Sequence, residues 1–257
     1  MIRLTITDGV AEIVLDAPEK LNSLDPTAVA ELSAAYDEAA AAGVRALLLR
    51  GEGRAFCAGR DISGVDPRED DVIGYLEGLI EPLMKKMSEF PAPTFAVATG
   101  ACLGVGLGLL IATDVVYVAE SAKIGSPFAN LGATLDSGGH ALFFERLGAH
   151  RTLDLIYTGR LMSGTEAVTA GLFSQVLPDD EVLAAAQQAA SKAAIGATQA
   201  FLASKRLVAD LRDQRIGLWA SMSDENRAQA ALCDTSDYRE GFASFQEKRR
   251  PNFTGKA

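Results

Sequence analysis

The stretch TFAVATGACLGVGLGLLIATDVVYVAESAKIGSPFANLGATLDSGG, residues 94–139, decides the fold. Its apolar opening, Thr94–Thr99, has the length and composition of a buried strand and stops at Gly100. A glycine-rich turn through Gly104, Val105 and Gly106 then opens a short apolar helix. Two short strand-like pieces follow, and Asp136 stands in LDSGGH ahead of a further helix. A strand that empties through glycines into a helix leaves backbone N–H groups without partners at the positive end of the helix dipole. Such groups suit an anion, or an oxygen that becomes one during reaction.

On the N-terminal side, Ile2, Leu4 and Ile6 alternate before Asp8-Gly9, and Ala11, Ile13 and Leu15 alternate after it, a hairpin pattern. Asp25 is placed to cap a helix that has Pro26 in its first turn and Gly43 as its stop. ALLLR at 46–50 reads as a buried strand, and the loop 51–62 holds AFCAGRDI. The charged segment Asp66–Asp71 reads as mobile. Val72, Leu76, Leu79, Leu83 and Met87 then show helical spacing up to Phe90, where Pro91 and Pro93 end the run. This alternation predicts an α/β fold with mainly parallel pairing. After Asp136 the sequence predicts helices over 138–147, 149–157 and 163–170, the last capped by Ser163, and a strand at Phe173–Val176. A change of composition near Gly196 separates a core, 1–195, from a helical region, 196–257.

With 257 residues, 48% of them hydrophobic, the chain can bury a sizeable core. A net charge of −10 with no basic stripe argues against nucleic acid and anionic membranes as partners. The most apolar window, Ala101–Val118, is broken by glycines and Asp114, which fits a core segment and not a membrane span. Two histidines and the scattered Cys57, Cys102 and Cys233 offer neither a metal cluster nor a disulfide framework. The thiols read as small buried groups in a reducing compartment, and a hairpin stands where a signal peptide would be, so a cytoplasmic location is expected.

Together with RAFCAGRDI at 54–62, residues 94–139 resemble the crotonase family, the enoyl-CoA hydratase/isomerase superfamily. The resemblance covers nearly the whole chain and returns in FASFQEKRRPNF at 242–253. It implies a ClpP-like spiral core of ββα units with a C-terminal helical layer that makes a trimer, or a hexamer as a dimer of trimers. It also implies an acyl-CoA substrate, with coenzyme A arriving as part of that substrate and no separate cofactor or metal. The backbone N–H groups of Arg60, after Ala58-Gly59, and of Val105, after Gly104, fall on the family's oxyanion hole for a thioester carbonyl. Removing one such donor costs about 3–4 kcal/mol of transition-state stabilisation. Taken alone, each loop is an ordinary tight turn; the pair, with Asp61 after the first, carries the resemblance. Asn22, Asp61 and Ile62 fall on loops near bound coenzyme A, although an asparagine in a loop before a helix needs no function. Tyr75 and Leu79 fall on the helix that lines the acyl pocket, and Phe245 and Lys248 on the C-terminal pattern that reaches the coenzyme A phosphates. Ordinary core packing and a solvated basic tail are the competing readings of these last two groups.

The family's hydratases use two glutamates, and the matching positions here hold Gly108 and Phe128. Neither can ionise, so the expectation moves to Asp136, where the family's double-bond isomerases and its ring-epoxide phenylacetyl-CoA isomerases carry an acid. Phe128, Leu131 and Leu135 would surround Asp136 with apolar groups and raise its pKa. An enoyl-CoA hydratase stays as an alternative, and three other readings stand beside these. An Asp before Ser-Gly-Gly is a good helix cap. A dehalogenase-type nucleophile has an aromatic eight places earlier, where Phe128 stands, but a phenyl ring donates no hydrogen bond. A non-catalytic acyl-CoA binder is the third. His140 is a candidate to orient or activate a neighbour.

Overall fold

Asp8 and Gly9 both take positive φ, 50° and 76°, as a two-residue hairpin turn requires. The computed structural model describes residues 1–65, 68–128, 133–214 and 235–256. Its strands are β1 (Ile2–Thr7), β2 (Val10–Leu15), β3 (Ala46–Gly51), β4 (Thr94–Ala98), β5 (Ala101–Leu103), β6 (Val115–Ala119), β7 (Lys123–Gly125), β8 (Met162–Ser163) and β9 (Gln175–Leu177). The larger sheet runs in the order β1-β2-β3-β4-β6-β9, with only the β1–β2 pair antiparallel. A second sheet has the order β5-β7-β8. Strand β5, one residue pair past the end of β4, is an element the sequence reading merged into the glycine turn.

The helices are α1 (Pro26–Ala41), α2 (Val72–Tyr75), α3 (Glu81–Ser88), α4 (Val105–Ile111), α5 (Gly139–Thr158), α6 (Gly164–Thr169), α7 (Val182–Ala194), α8 (Thr198–Gln214) and α9 (Ser236–Gln246). Asp25 caps α1 by accepting the Ala28 N–H at 2.8 Å, worth about 1 kcal/mol. Ser163 and Glu166 close a capping box on α6. The break expected in α5 is at Gly148, with φ 73° and ψ 172°. The helical run from Val72 is not uniform: Leu76–Ile80 forms a π-helical turn between α2 and α3. The wider turn brings Tyr75 and Ile80, five residues apart, to the buried side together with Leu83 and Met87.

All five residues of β4 are buried, because both faces of the sheet are covered. Ala96 and Ala98 face a core shared with Leu47, Leu49, Leu32 and Tyr36. Phe95, Val97 and Leu48 face the other side, against Val182, Ala186, Ala190 and Ala194 of α7. Alanine at every fourth position gives α7 a smooth face that approaches the sheet closely. The C-terminal region is fastened to this core at two places. Arg45 donates to the Phe253 carbonyl at 2.9 Å and to Thr198 Oγ1 at 3.3 Å. Lys205 reaches Asp114 at 3.0 Å and the Phe90 carbonyl at 3.1 Å. Among the described residues, no helix is long and apolar enough to cross a membrane.

Candidate active site

Residues 55–59 run beside 99–103 and are joined to them by a ladder of main-chain bonds. Phe56 N–H donates to the Thr99 carbonyl at 2.7 Å, Cys57 N–H to Ala101 at 2.9 Å, and Leu103 N–H returns to Cys57 at 3.0 Å. The backbones come so close that a Cβ at Gly100 would lie 1.9 Å from the Arg54 carbonyl oxygen. Gly59, at φ +99°, sits where a Cβ would be 2.8 Å from the Leu103 oxygen and 3.6 Å from the Val105 nitrogen. The first glycine loop therefore packs directly on the second. Leu24 grips the first loop on both sides of Arg60: its N–H donates to the Gly59 carbonyl at 2.8 Å, and its carbonyl accepts from Asp61 N–H at 3.0 Å. The Arg60 N–H is left over. So is that of Val105, the first residue of α4, which has no intrahelical acceptor. Neither N–H donates to any described residue.

Asp136 arrives on the segment 133–138. Ala133 N–H donates to the Phe128 carbonyl at 3.0 Å, and the Phe128 ring lies where a Cβ on Gly104 would be, 3.0 Å from Cζ. One turn into α4, the space above Gly108 is filled by the far end of the same segment. A Cβ there would be 2.6 Å from Ser137 Cβ and 3.2 Å from Met84 Sδ. Ser137 has φ 50°, an αL conformation that costs a non-glycine residue free energy. Helix α5 begins behind Gly138 with no side-chain cap, so Asp136 does not serve as the cap that its sequence context suggests. Its Oδ1 is buried and, like Ser137 Oγ, has no hydrogen-bond partner among the described residues. Burial raises the Asp136 pKa above the ordinary carboxylate value; the charges of Arg60 and His140 oppose that rise in part.

The sequence profile of the Enoyl-CoA hydratase/isomerase family matches residues 5–256. A Rhodobacter capsulatus protein named "Probable enoyl-CoA hydratase" is 34% identical over 99% of this chain and 98% of its own. The 1,2-epoxyphenylacetyl-CoA isomerase of Escherichia coli is 31% identical over 98% and 97%. A crystal structure of an enoyl-CoA hydratase subunit from Geobacillus kaustophilus superposes with a TM-score of 0.89 at 32% identity, covering 99% of this chain and 98% of that one. The chain belongs to the enoyl-CoA hydratase/isomerase family. Its fold is the crotonase fold.

Within that family frame, the side chain of Arg60 is a feature the sequence reading missed, since only its N–H was considered. The guanidinium pairs bidentately with Asp70, at 2.6 and 2.8 Å, and lies 4.2 Å over the Tyr75 ring. The signal was present: a bulky cation between Gly59 and Asp61, followed by an acidic segment. Asp66 and Pro67 lie outside the described residues, but Asp70 holds Arg60 and Asp71 caps α2 through the Gly74 N–H at 2.8 Å.

Asn22, expected on a loop near bound coenzyme A, is turned inward. It is fully buried, and its side chain is spent inward: Oδ1 accepts from Ala17 N–H at 2.9 Å, and Nδ2 donates to the Glu52 and Ala55 carbonyls at 3.0 and 2.8 Å. It braces the first loop from inside the core. Asp61 accepts from Ser63 and pairs with Lys20 at 3.3 Å, contacts that hold its pKa low. Ala58 donates to the Leu21 carbonyl. Ile62 is exposed and Leu79 packs partly buried against the core. Lys248 is exposed at φ 56° in the tail after α9. Leu131 and the Phe245 side chain lie outside the described residues, as does Cys233. Cys57 and Cys102 are unbonded, buried neighbours, and burial pushes the Cys57 thiol up to about 12. A cleft of about 360 Å³ opens beside the Asp136 segment, between Leu76, Ile80 and Met84 on one wall and Ile111, Ser137 and Gly138 on the other.

Proposed function

We propose that this member of the family is an acyl-CoA isomerase that moves a double bond through an enolate, with Asp136 as the proton carrier. The observation that carries this reading is the buried, unpartnered Oδ1 of Asp136 on a segment whose neighbours Phe128 and Ser137 pack on Gly104 and Gly108, together with two loops that each leave one N–H free. Asp136, ionised, takes a proton from the carbon α to the thioester. The electron pair moves toward the carbonyl oxygen, where the N–H groups of Arg60 and Val105 stabilise the charge. Protonated Asp136 then returns the proton at the γ carbon. Its raised pKa narrows the gap to the carbon acid, so the transfer runs both ways. Hydration needs a second acid, and the space for one at position 108 is filled by Ser137.

The kinship with a 1,2-epoxyphenylacetyl-CoA isomerase makes an aromatic ring-epoxide thioester the second substrate class to test. The same site needs coenzyme A only as part of the substrate, and the buried free thiols suit the cytoplasm. We assign the contacts of a trimer or a dimer of trimers to the helical region 196–257, where Phe201, Val208 and Leu211 are exposed. The test is exchange in D2O with 3-enoyl-CoA thioesters, wild type beside Asp136→Asn. Deuterium at the α carbon and conversion to the 2-enoyl product, both lost in the variant, are expected. Turnover that survives in Asp136→Asn overturns the assignment.

A further inference from the structure

Gly59 precedes the peptide plane that carries the Arg60 N–H. At φ +99° it occupies a region where glycine has broad freedom, so little in its own backbone fixes the direction of the next N–H. The direction has to come from the flanks. Leu24 supplies one part, through its bonds to Gly59 and Asp61. The side chain of Arg60 supplies a second route back to the same residue. Its guanidinium stacks on Tyr75, and the Tyr75 hydroxyl donates to the Leu24 carbonyl at 3.2 Å. Asp70 closes the arrangement by taking two guanidinium N–H groups. The result is a closed circuit: Arg60 side chain, Tyr75 ring, Leu24 carbonyl, Asp61 N–H, and back to the main chain of Arg60.

A surface pair of this kind would be worth little. Here the Asp70 side chain is only 14% exposed and that of Arg60 22%, and the fork geometry adds direction as well as energy. We propose that the Arg60 guanidinium, clamped by Asp70 and Tyr75, is a positioning residue that aims the Arg60 N–H at the thioester oxygen. This rests on the reading that the N–H of Arg60 stabilises the enolate. Loosening the clamp misaligns one donor while leaving the acid and the second donor in place.

The probe is 2,4-hexadienoyl-CoA, a conjugated thioester whose absorption moves to longer wavelength when its carbonyl is polarised. The variants are Asp70→Asn, Arg60→Met, Arg60→Lys and the double Arg60→Met/Asp70→Asn, each checked by thermal melting. Wild type is expected to bind saturably with a red shift. Asp70→Asn and Arg60→Met should bind within about threefold of wild type but lose at least half of the shift. Their kcat, normalised to the folded fraction, should fall about tenfold with KM little changed; the shift per bound probe is the readout that loss of fold does not move. Lysine should not restore the shift, since it has no planar fork to pair and stack. The double variant should be no worse than either single one, because the two residues act as a unit. Variants that bind and shift the probe as wild type does overturn the positioning role alone. A wild-type protein that binds the probe without any shift overturns the oxyanion reading and this inference with it.

Discussion

Adding a single methyl group at Gly108 tests whether the Asp136 segment occupies the place of a hydratase glutamate. Gly108 lies in α4, where alanine is favoured over glycine by about 1 kcal/mol on helix propensity alone. Against that gain, the new Cβ would be 2.6 Å from Ser137 Cβ and 3.1 Å from the Ser137 carbonyl oxygen. Both atoms belong to or sit on the main chain, so the segment itself must move. Overpacking of this kind costs about 1–3 kcal/mol, so the net expectation is a loss of up to about 2 kcal/mol. At about 2–4 °C per kcal/mol for a chain of this size, Gly108→Ala should melt several degrees below Gly78→Ala. Gly78 is the matched control, since a Cβ there meets nothing within 4 Å and only the propensity gain remains. Turnover of a 3-enoyl thioester by Gly108→Ala should fall as Asp136 shifts, and Gly108→Glu should lower it further without creating hydration. Differential scanning fluorimetry and a coupled assay for 3-hydroxyacyl product read both effects. Equal melting of the two alanine variants, or a hydratase made by Gly108→Glu, would refute the argument from occupied space.

Asp136→Asn should lower isomerisation by about 10²–10⁴, the usual contribution of a positioned acid–base group. In wild type the acid limb of the rate should lie above the ordinary carboxylate range, because burial favours the protonated acid and the base form carries the reaction. The same raised pKa makes the folded protein bind a proton more tightly than the unfolded chain. Asp136 therefore costs stability that grows as pH rises from the unfolded pKa to the folded one. Asp136→Asn should melt at or slightly above wild type at pH 8 and lose that advantage in acid. Asn22→Ala should cost about 2–4 kcal/mol by leaving buried main-chain groups unpaired, seen as a lower urea midpoint, while KM of the folded fraction stays put. Ser163→Ala should cost about 1 kcal/mol through the lost cap with no change in kcat.

Much of the architecture was written in short-range patterns. The Asp8-Gly9 hairpin, the Asp25 and Ser163 caps and the glycine break in α5 each depend on a few adjacent residues, and each is where the pattern puts it. The π-helical turn was hidden because the apolar spacing of Val72–Phe90 fits a regular helix, and only packing forces Tyr75 and Ile80 to one side. At the site, the glycines marked the two loops, but the partners of side chains came from far along the chain. Asn22 meets Ala55 across 33 positions and Tyr75 meets Leu24 across 51. No local pattern records such meetings, so neither the inward turn of Asn22 nor the bond from Tyr75 to Leu24 can be read from the sequence. Asp136 was legible as an acid; that it does not cap α5 required the coordinates.

The ladder between 55–59 and 99–103 has a consequence for how such a protein changes its chemistry. Because Cys57 both gives to Ala101 and takes from Leu103, the chain segments that lead to Arg60 and Val105 shift as one body. The acid, in contrast, comes in on 133–138, which touches that body through the Phe128 ring over Gly104 and through Ser137 over Gly108. The molecule thus divides into an anvil, the two joined loops, and a tool, Asp136, carried on a separate arm. New reactions can be explored by retooling the arm, at a handful of positions, without reforging the anvil.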